Sequence, residues 1–171
     1  MIKNISQLDG DLSKLTTIII DHIRQVMPKV ISVEGLTHFE ESFDNQGYTD
    51  KNLTKWKRRK FNQKHTTKKG VESAAFKHFK RKDAGRAILV SHQTDTKGPH
   101  LKDTLRTKAT DTQVIFATNK EYAQVHNEGG RAGRGKGFIM ERRQFMGPSE
   151  ELNKKINQKL EREITRFLKS L

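Results

Sequence analysis

The sequence predicts an α+β domain, with N-terminal helices, a small antiparallel β-sheet or hairpin in the middle and a long C-terminal helix. Near both ends of the chain, apolar residues recur every three or four positions, which is the spacing of one helix face. Between these regions, apolar residues alternate with polar ones, as in a strand. Helices and strands do not alternate, so a doubly wound sheet is not expected. The 171 residues suit a single domain over 1–171.

The first helix is predicted from Leu12 to Val26, because one apolar stripe contains Leu12, Leu15, Ile19, Ile23 and Val26. Pro28 follows, and the residue before a proline is disfavoured in helical backbone, so we expect the helix to end there. A second, shorter helix is predicted from about Val33 to Phe43, with Leu36, Phe39 and Phe43 on one side. Gly47 then ends it.

A β-hairpin is predicted over residues 105–117. In its first half, Leu105, Thr107 and Ala109 alternate with cations. Asp111-Thr112 is expected to form the turn, and the most strand-like run follows it, Val114-Ile115-Phe116-Ala117. Short helical turns are expected on either side, from Leu101 to Leu105 and from Glu121 to Asn127.

A glycine-rich arm is predicted from about residue 127 to 147. Phe138-Ile139-Met140 and Gln144-Phe145-Met146 are candidate short strands or extended segments at its far side. Gly130, Gly135 and Lys136 also match most of a nucleotide-binding loop, but Gly137 stands where that loop needs a Ser or Thr for Mg²⁺. We therefore rank three interpretations of this segment: an arm that contacts another subunit comes first, a polyanion-binding loop second and a nucleotide-binding site last.

The final helix is predicted to begin after Pro148. Ser149 can cap it, and Glu150 and Glu151 complement the positive end of the helix dipole. Its apolar stripe consists of Leu152, Ile156, Leu160, Ile164, Phe167 and Leu171.

Positive charge is concentrated in one basic segment, residues 51–82. The chain has a net charge of +14, and this segment has thirteen Lys and Arg residues against a single acid, Glu72. We expect a partly mobile stretch that attracts acidic protein surfaces or polyanions. Interleaved aromatic residues keep sequence-independent nucleic-acid binding as the alternative function; they are Trp56, Phe61, Phe76 and Phe79.

Enzymatic chemistry is not expected. The chain has no cysteine, and its seven histidines include no pair at the i, i+4 spacing of a helical metal site. His126 lies near Glu128 without a second catalytic group, and Ser91, His92 and Asp95 are too close in sequence for a typical triad. No cofactor, metal or small-molecule substrate is expected. No membrane span is expected either, since Ile18-Ile19-Ile20 is followed at once by Asp21.

Several short motifs occur in a recognisable order. They are Phe39-x-x-x-Phe43, Gly47-Tyr48, Trp56-Lys57-Arg58-Arg59-Lys60, the strand 114–119, Tyr122-Ala123-x-x-His126-x-x-Gly129-Gly130 and Arg143-x-Phe145-Met146-Gly147. From about Phe39 to the C-terminus, this order resembles the phage virion morphogenesis family, the tail-completion proteins of Mu-like phages and prophages. The resemblance implies a non-enzymatic assembly subunit of the virion, made in the cytoplasm of the bacterial host. Its implied partners are its own copies in a ring, phage tail or neck proteins, and DNA in the channel.

The candidate interaction residues fall into three groups. Trp56, Lys57, Arg58, Arg59 and Lys60, with Arg131, Arg134 and Lys136, are expected to face acidic partner surfaces or DNA. Core or core-edge packing is an equal alternative for the aromatic candidates Trp56, Tyr122 and Phe145. Tyr122 and His126 should share one helix face, and Gly129-Gly130 can take positive φ and turn the chain outwards. Arg143 belongs to the family-like motif, and Phe145 should pack in the core or on a neighbouring subunit.

Overall fold

The computed structural model describes residues 5–58, 86–90 and 99–170, with side chains described from residue 10. Within these described residues, three helices, one 3₁₀ turn and three two-stranded antiparallel sheets confirm the α+β prediction. In chain order the elements are α1 (Ile5–Asp44), β1 (Gly47–Thr49), β2 (Leu53–Lys55), the 3₁₀ turn (Lys102–Thr104), β3 (Arg106–Ala109), β4 (Val114–Ala117), α2 (Ala123–Glu128), β5 (Gly130–Ala132), β6 (Phe138–Met140) and α3 (Glu150–Leu168). Most of the basic segment, including Arg59 and Lys60, lies outside the described residues.

Helix α1 runs without a break through Pro28, so the predicted end of the first helix at this proline is wrong. Proline removes one backbone donor but does not forbid a helix that tertiary packing holds on both sides. Before Pro28, the His22 ring stacks on Phe167 of α3 at 3.7 Å between centroids. After it, Glu34 forms a 3.0 Å ion pair with Lys159 of α3. The two predicted helices are therefore one, packed antiparallel to α3.

Helix α3 begins as predicted. The Ser149 Oγ accepts a hydrogen bond from the Leu152 backbone N–H at 3.0 Å, which satisfies one of the free donors of the first turn. The Asp50 carboxylate accepts from the Glu150 N–H at 2.9 Å, and the Asp50 carbonyl accepts from the Glu151 N–H at 3.0 Å. The turn between β1 and β2 thus caps the start of α3.

The hairpin β1–β2 is absent from the sequence prediction. Its strands pair Gly47 with Lys55, Tyr48 with Thr54 and Thr49 with Leu53. A β-carbon at Gly47 would lie 2.5 Å from the Thr54 carbonyl oxygen, so glycine permits this close approach.

The hairpin β3–β4 is confirmed, with Arg106 opposite Ala117 and Ala109 opposite Val114. It packs against α1 through the Phe116 ring, which meets the Phe39 ring edge-on at 5.0 Å between centroids. The predicted helical turn before it is the 3₁₀ turn Lys102–Thr104, and the predicted turns after it form α2.

The hydrophobic core lies where the C-terminal half of α1 meets the hairpins and the start of α3. Its buried apolar residues are Phe39, Phe43, Tyr48, Trp56, Ile88, Leu101, Leu105, Ala123, Phe145 and Leu152. The N-terminal half of α1 leaves this core, and Leu12 is 63% exposed there. No helix in the described part of the chain is both long and apolar enough to span a membrane.

Candidate assembly surface

Residues 143–147 form an irregular segment that is fixed to the core. The Asn127 Oδ1, at the C-terminal end of α2, accepts hydrogen bonds from the backbone N–H groups of Phe145 and Met146, both at 2.9 Å. The backbone N–H of Arg143 donates to the backbone carbonyl of His126 at 2.7 Å, and the Ser42 hydroxyl of α1 donates to the Phe145 carbonyl at 3.3 Å. Buried backbone groups are costly when unpaired, so these bonds determine the path of this segment.

Two aromatic residues hold the same segment from the other side. The Trp56 Nε1–H donates to the Gln144 carbonyl at 2.7 Å, and the Tyr48 hydroxyl donates to the Gly147 carbonyl at 2.6 Å. Burial raises the pKa of Tyr48 to about 12, and the negative charge of Asp50 acts in the same direction. Tyr48 therefore remains a hydrogen-bond donor throughout the physiological range.

Trp56 and Phe145 are core residues, with 7% and 0% of their surfaces exposed. The Phe43 ring contacts both, at centroid distances of 5.7 Å to Trp56 and 5.3 Å to Phe145. Phe145 therefore packs in the core, one of the two places expected for it, and the Trp56 ring lies in the core as well. Their role here is to anchor the segments that carry exposed residues.

The glycine-rich segment forms a projecting hairpin, β5–β6. The strands pair Gly130 with Met140, Arg131 with Ile139 and Ala132 with Phe138. Phe138 is 56% exposed and Ile139 is 77% exposed. Residues 144–146, also candidates for a strand or an extended arm, form no paired strand, and Phe145 returns to the core.

Glycine is required at both ends of this hairpin. Gly129 has a φ of +78°, and a β-carbon there would lie 3.2 Å from the Met140 carbonyl oxygen. Gly137 has a φ of +59°, and a β-carbon there would lie 2.6 Å from the Ala132 carbonyl oxygen. A nucleotide-binding loop leads into a helix, whereas here the chain returns as a strand.

The predicted cations lie in two places. Arg131, Arg134 and Lys136 are exposed on the β5–β6 hairpin, where the Arg131 guanidinium donates to the Lys136 carbonyl at 2.8 Å. Lys57 forms a 3.2 Å ion pair with Glu141, just after β6, and Arg58 is exposed beside it. The end of β2 therefore lies next to the base of the hairpin.

The two α2 candidates do share a face. The Tyr122 and His126 rings meet edge-on at 5.8 Å between centroids, with Tyr122 45% exposed. Burial lowers the pKa of His126, and the nearby positive charge of Arg143 lowers it further. The imidazole is therefore neutral at neutral pH.

Arg143 is only 8% exposed. Its Nη1 lies 3.8 Å from the Met140 thioether sulfur, which is a weak acceptor. Its Nε and the His126 Nδ1 are buried without a hydrogen-bond partner in the described part of the chain. Burial lowers the pKa of Arg143, while the charge of Glu141 opposes this.

A cleft of about 420 Å³ lies beside the fixed segment. It is lined by residues that include Tyr48, Asp50, Trp56, Arg142, Gln144 and Pro148. Within the described ranges, His, Asp and Glu side chains form no group of three that could hold a metal ion.

Sequence reasoning missed the residues that position this surface, above all Ser42, Tyr48 and Asn127. Tyr48 and Asn127 lie within the motifs, but nothing in their local sequence identifies backbone groups 18 to 99 residues away as their partners. A polar residue within a predicted apolar helix face, such as Ser42, was the available signal.

Comparison with known proteins identifies the family. Neither the curated proteins nor the solved structures give a significant match. The model of the phage virion morphogenesis family matches residues 47–165, from the start of β1 to near the end of α3. This match covers more than two thirds of the chain, and it contains the fixed segment and the projecting hairpin. The chain therefore belongs to the phage virion morphogenesis family, whose members serve in the structure and assembly of phage particles.

Proposed function

We propose that this protein completes the phage tail, or joins the tail to the head, through protein–protein contacts and without catalysis. The observation that carries the proposal is the β5–β6 hairpin, which projects two apolar side chains, Phe138 and Ile139, from a base fixed to the core. Exposed apolar residues on an open-edged hairpin are suited to burial against another chain.

The base of the hairpin supports this proposal. A two-stranded hairpin is only marginally stable by itself, so it needs an anchor to keep a defined direction. Gly129 lies one residue after α2, and residues 143–147 are held by Asn127, Trp56 and Tyr48. A hairpin whose base is fixed loses little conformational entropy when the exposed apolar residues of its strand dock.

The proposed partners are other copies of this chain, arranged in a ring, together with phage tail or neck proteins. Head-to-tail contacts between identical subunits close into rings when the rotation between neighbours allows it. The exposed cations Arg131, Arg134 and Lys136 then face acidic surfaces of these partners or DNA in the channel. The protein would act in the virion after assembly in the host cytoplasm.

The test is a double variant, Phe138→Ser with Ile139→Ser, in a phage that depends on this gene. We expect a folded protein and at least a tenfold loss of infectious, tail-joined particles, because both changes remove exposed apolar contact area on β6. The control is Ile115→Ser, which alters a 47% exposed residue of strand β4 in the β3–β4 hairpin. Wild-type particle yield from the double variant, seen by electron microscopy and plaque counts, would contradict the proposal.

Sequence-independent nucleic-acid binding is the alternative, and the charge of the basic segment favours it. Binding to duplex or single-stranded DNA would weaken steeply with salt, because each neutralised phosphate releases counterions. Gel shifts at two salt concentrations separate the two functions. Tight, salt-sensitive DNA binding combined with normal particle yield from the hairpin variant would favour the alternative.

A further inference from the structure

Arg143 is a buried cation whose hydrogen-bonding capacity is largely unused. A guanidinium has five N–H donors in a planar fork and stays charged at any physiological pH. Here, 92% of the residue surface is buried, given 8% exposure, and the described acceptor of its guanidinium is the Met140 sulfur. In the part of the chain that the structure describes, no carboxylate forms an ion pair with it.

Such an arrangement is unfavourable in an isolated chain. Burying a charge without a partner costs free energy, and proteins normally pair or hydrate buried charges. The group that best complements a guanidinium is a carboxylate, which can accept two parallel hydrogen bonds. The neighbouring His126 Nδ1, also buried and unpaired among the described residues, marks the same site as incompletely satisfied.

The nearby acid of this chain is engaged elsewhere. Glu141 lies close enough for its charge to raise the pKa of Arg143, but its carboxylate forms an ion pair with Lys57 at 3.2 Å. The rest of the basic segment, residues 59–82, contains nine Lys and Arg residues and one acid, Glu72. A second chain is therefore a better source of a carboxylate than that segment.

We propose that Arg143, with His126 beside it, is a binding site for the carboxylate of an Asp or Glu side chain from a neighbouring virion subunit. This inference rests on the proposed assembly function, since it requires a partner chain. It adds the chemistry of one contact: an acidic side chain enters beside α2, next to the base of the β5–β6 hairpin. Arg143 then gains a bidentate partner only in the assembled particle.

The site itself can be tested on the purified, full-length protein with sodium acetate as the probe. The measurement is the NMR signal of the Arg143 Nε–H, assigned by its loss in Arg143→Met. We expect a saturable shift with acetate and none with sodium chloride at equal ionic strength. The internal control is Arg166, which is exposed and already paired with Glu163 at 3.0 Å. No saturable shift at Arg143, or an equal shift at Arg166, would overturn the site.

The partner can be tested with two substitutions of different character. Arg143→Met keeps the apolar volume and removes the charge, so it should fold with an unfolding temperature no lower than that of the wild type. We expect it to reduce infectious particles at least tenfold, with partial recovery in Arg143→Lys. Normal particle yield from Arg143→Met, or unfolding that Arg143→Lys corrects, would overturn the assembly role.

The source of the carboxylate is tested by the combined variant Glu72→Gln, Asp83→Asn and Asp95→Asn, which neutralises the acids of segments 59–85 and 91–98. We expect normal particle yield. The same defect as Arg143→Met would place the acid in this chain and contradict the inter-subunit contact. Acetate binding needs no partner, so its failure is distinguishable from failure of the hairpin variant.

Discussion

At the scale of single residues, this protein uses a few polar side chains to fix a segment without regular structure. Residues 143–147 receive hydrogen bonds from positions far away in sequence, including Ser42, Tyr48 and Trp56. Each bond satisfies a backbone group that would otherwise be unpaired near the core. The position of the projecting hairpin thus depends on residues that are themselves not exposed.

Asn127→Ala should lower the free energy of unfolding by about 2 kcal/mol, because it leaves the N–H groups of Phe145 and Met146 without their acceptor. Asn127→Asp keeps an acceptor oxygen and should lose less. The measurement is equilibrium unfolding in urea. Equal losses in the two variants would show that the acceptor is not what matters.

The raised pKa of Tyr48 predicts that the folded protein loses stability in alkaline solution. The folded chain holds the Tyr48 proton more tightly than the unfolded chain, since its pKa is raised from 10.0 to about 12. The stabilisation of the folded state that comes from this tighter proton binding is therefore complete below pH 10, and it is lost as the pH rises towards 12. We expect a loss of about 2 kcal/mol over this range beyond that of Tyr48→Phe. Parallel pH profiles of the two proteins would contradict the assignment.

At the scale of elements, local pattern predicts some parts of the fold well. Helix α3 and the β3–β4 hairpin follow from a continuous apolar stripe and from alternation around a turn. The β1–β2 hairpin has only three residues per strand, too few for a periodic signal. At the candidate site, the sequence led us to expect a glycine-rich arm and a Phe145 side chain in the core or on a neighbour. Which aromatic residues are buried, Trp56 among them, depends on long-range packing that one sequence does not display.

Helix α1 gives a direct prediction for Pro28. A proline inside a helix removes the hydrogen bond to the carbonyl four residues earlier, here that of Arg24. Pro28→Ala should therefore raise the free energy of unfolding by about 1 to 3 kcal/mol. Pro148→Ala is the control, because Pro148 precedes α3 and interrupts no helix. Thermal unfolding measures both, and no gain in Pro28→Ala would indicate that the helix ends at this residue.

At the scale of the whole molecule, a compact base carries two projections. The base combines the C-terminal half of α1, α3 and the hairpins β1–β2 and β3–β4. One projection is β5–β6, and the other is the start of α1, where Leu12 and Ile18 are exposed at 63% and 47%. Both projections expose apolar side chains, which is compatible with a role in the structure and assembly of the phage particle.

The most direct test of the proposed assembly role is photo-cross-linking from β6 of the projecting hairpin inside assembled particles. A photoreactive amino acid replaces Ile139, and the same residue at Ile115 of β4 serves as the comparison. Virions are irradiated, and cross-linked products are identified by mass spectrometry. We expect a covalent product between position 139 and another virion chain. Efficient incorporation into virions with no product from position 139 would contradict it.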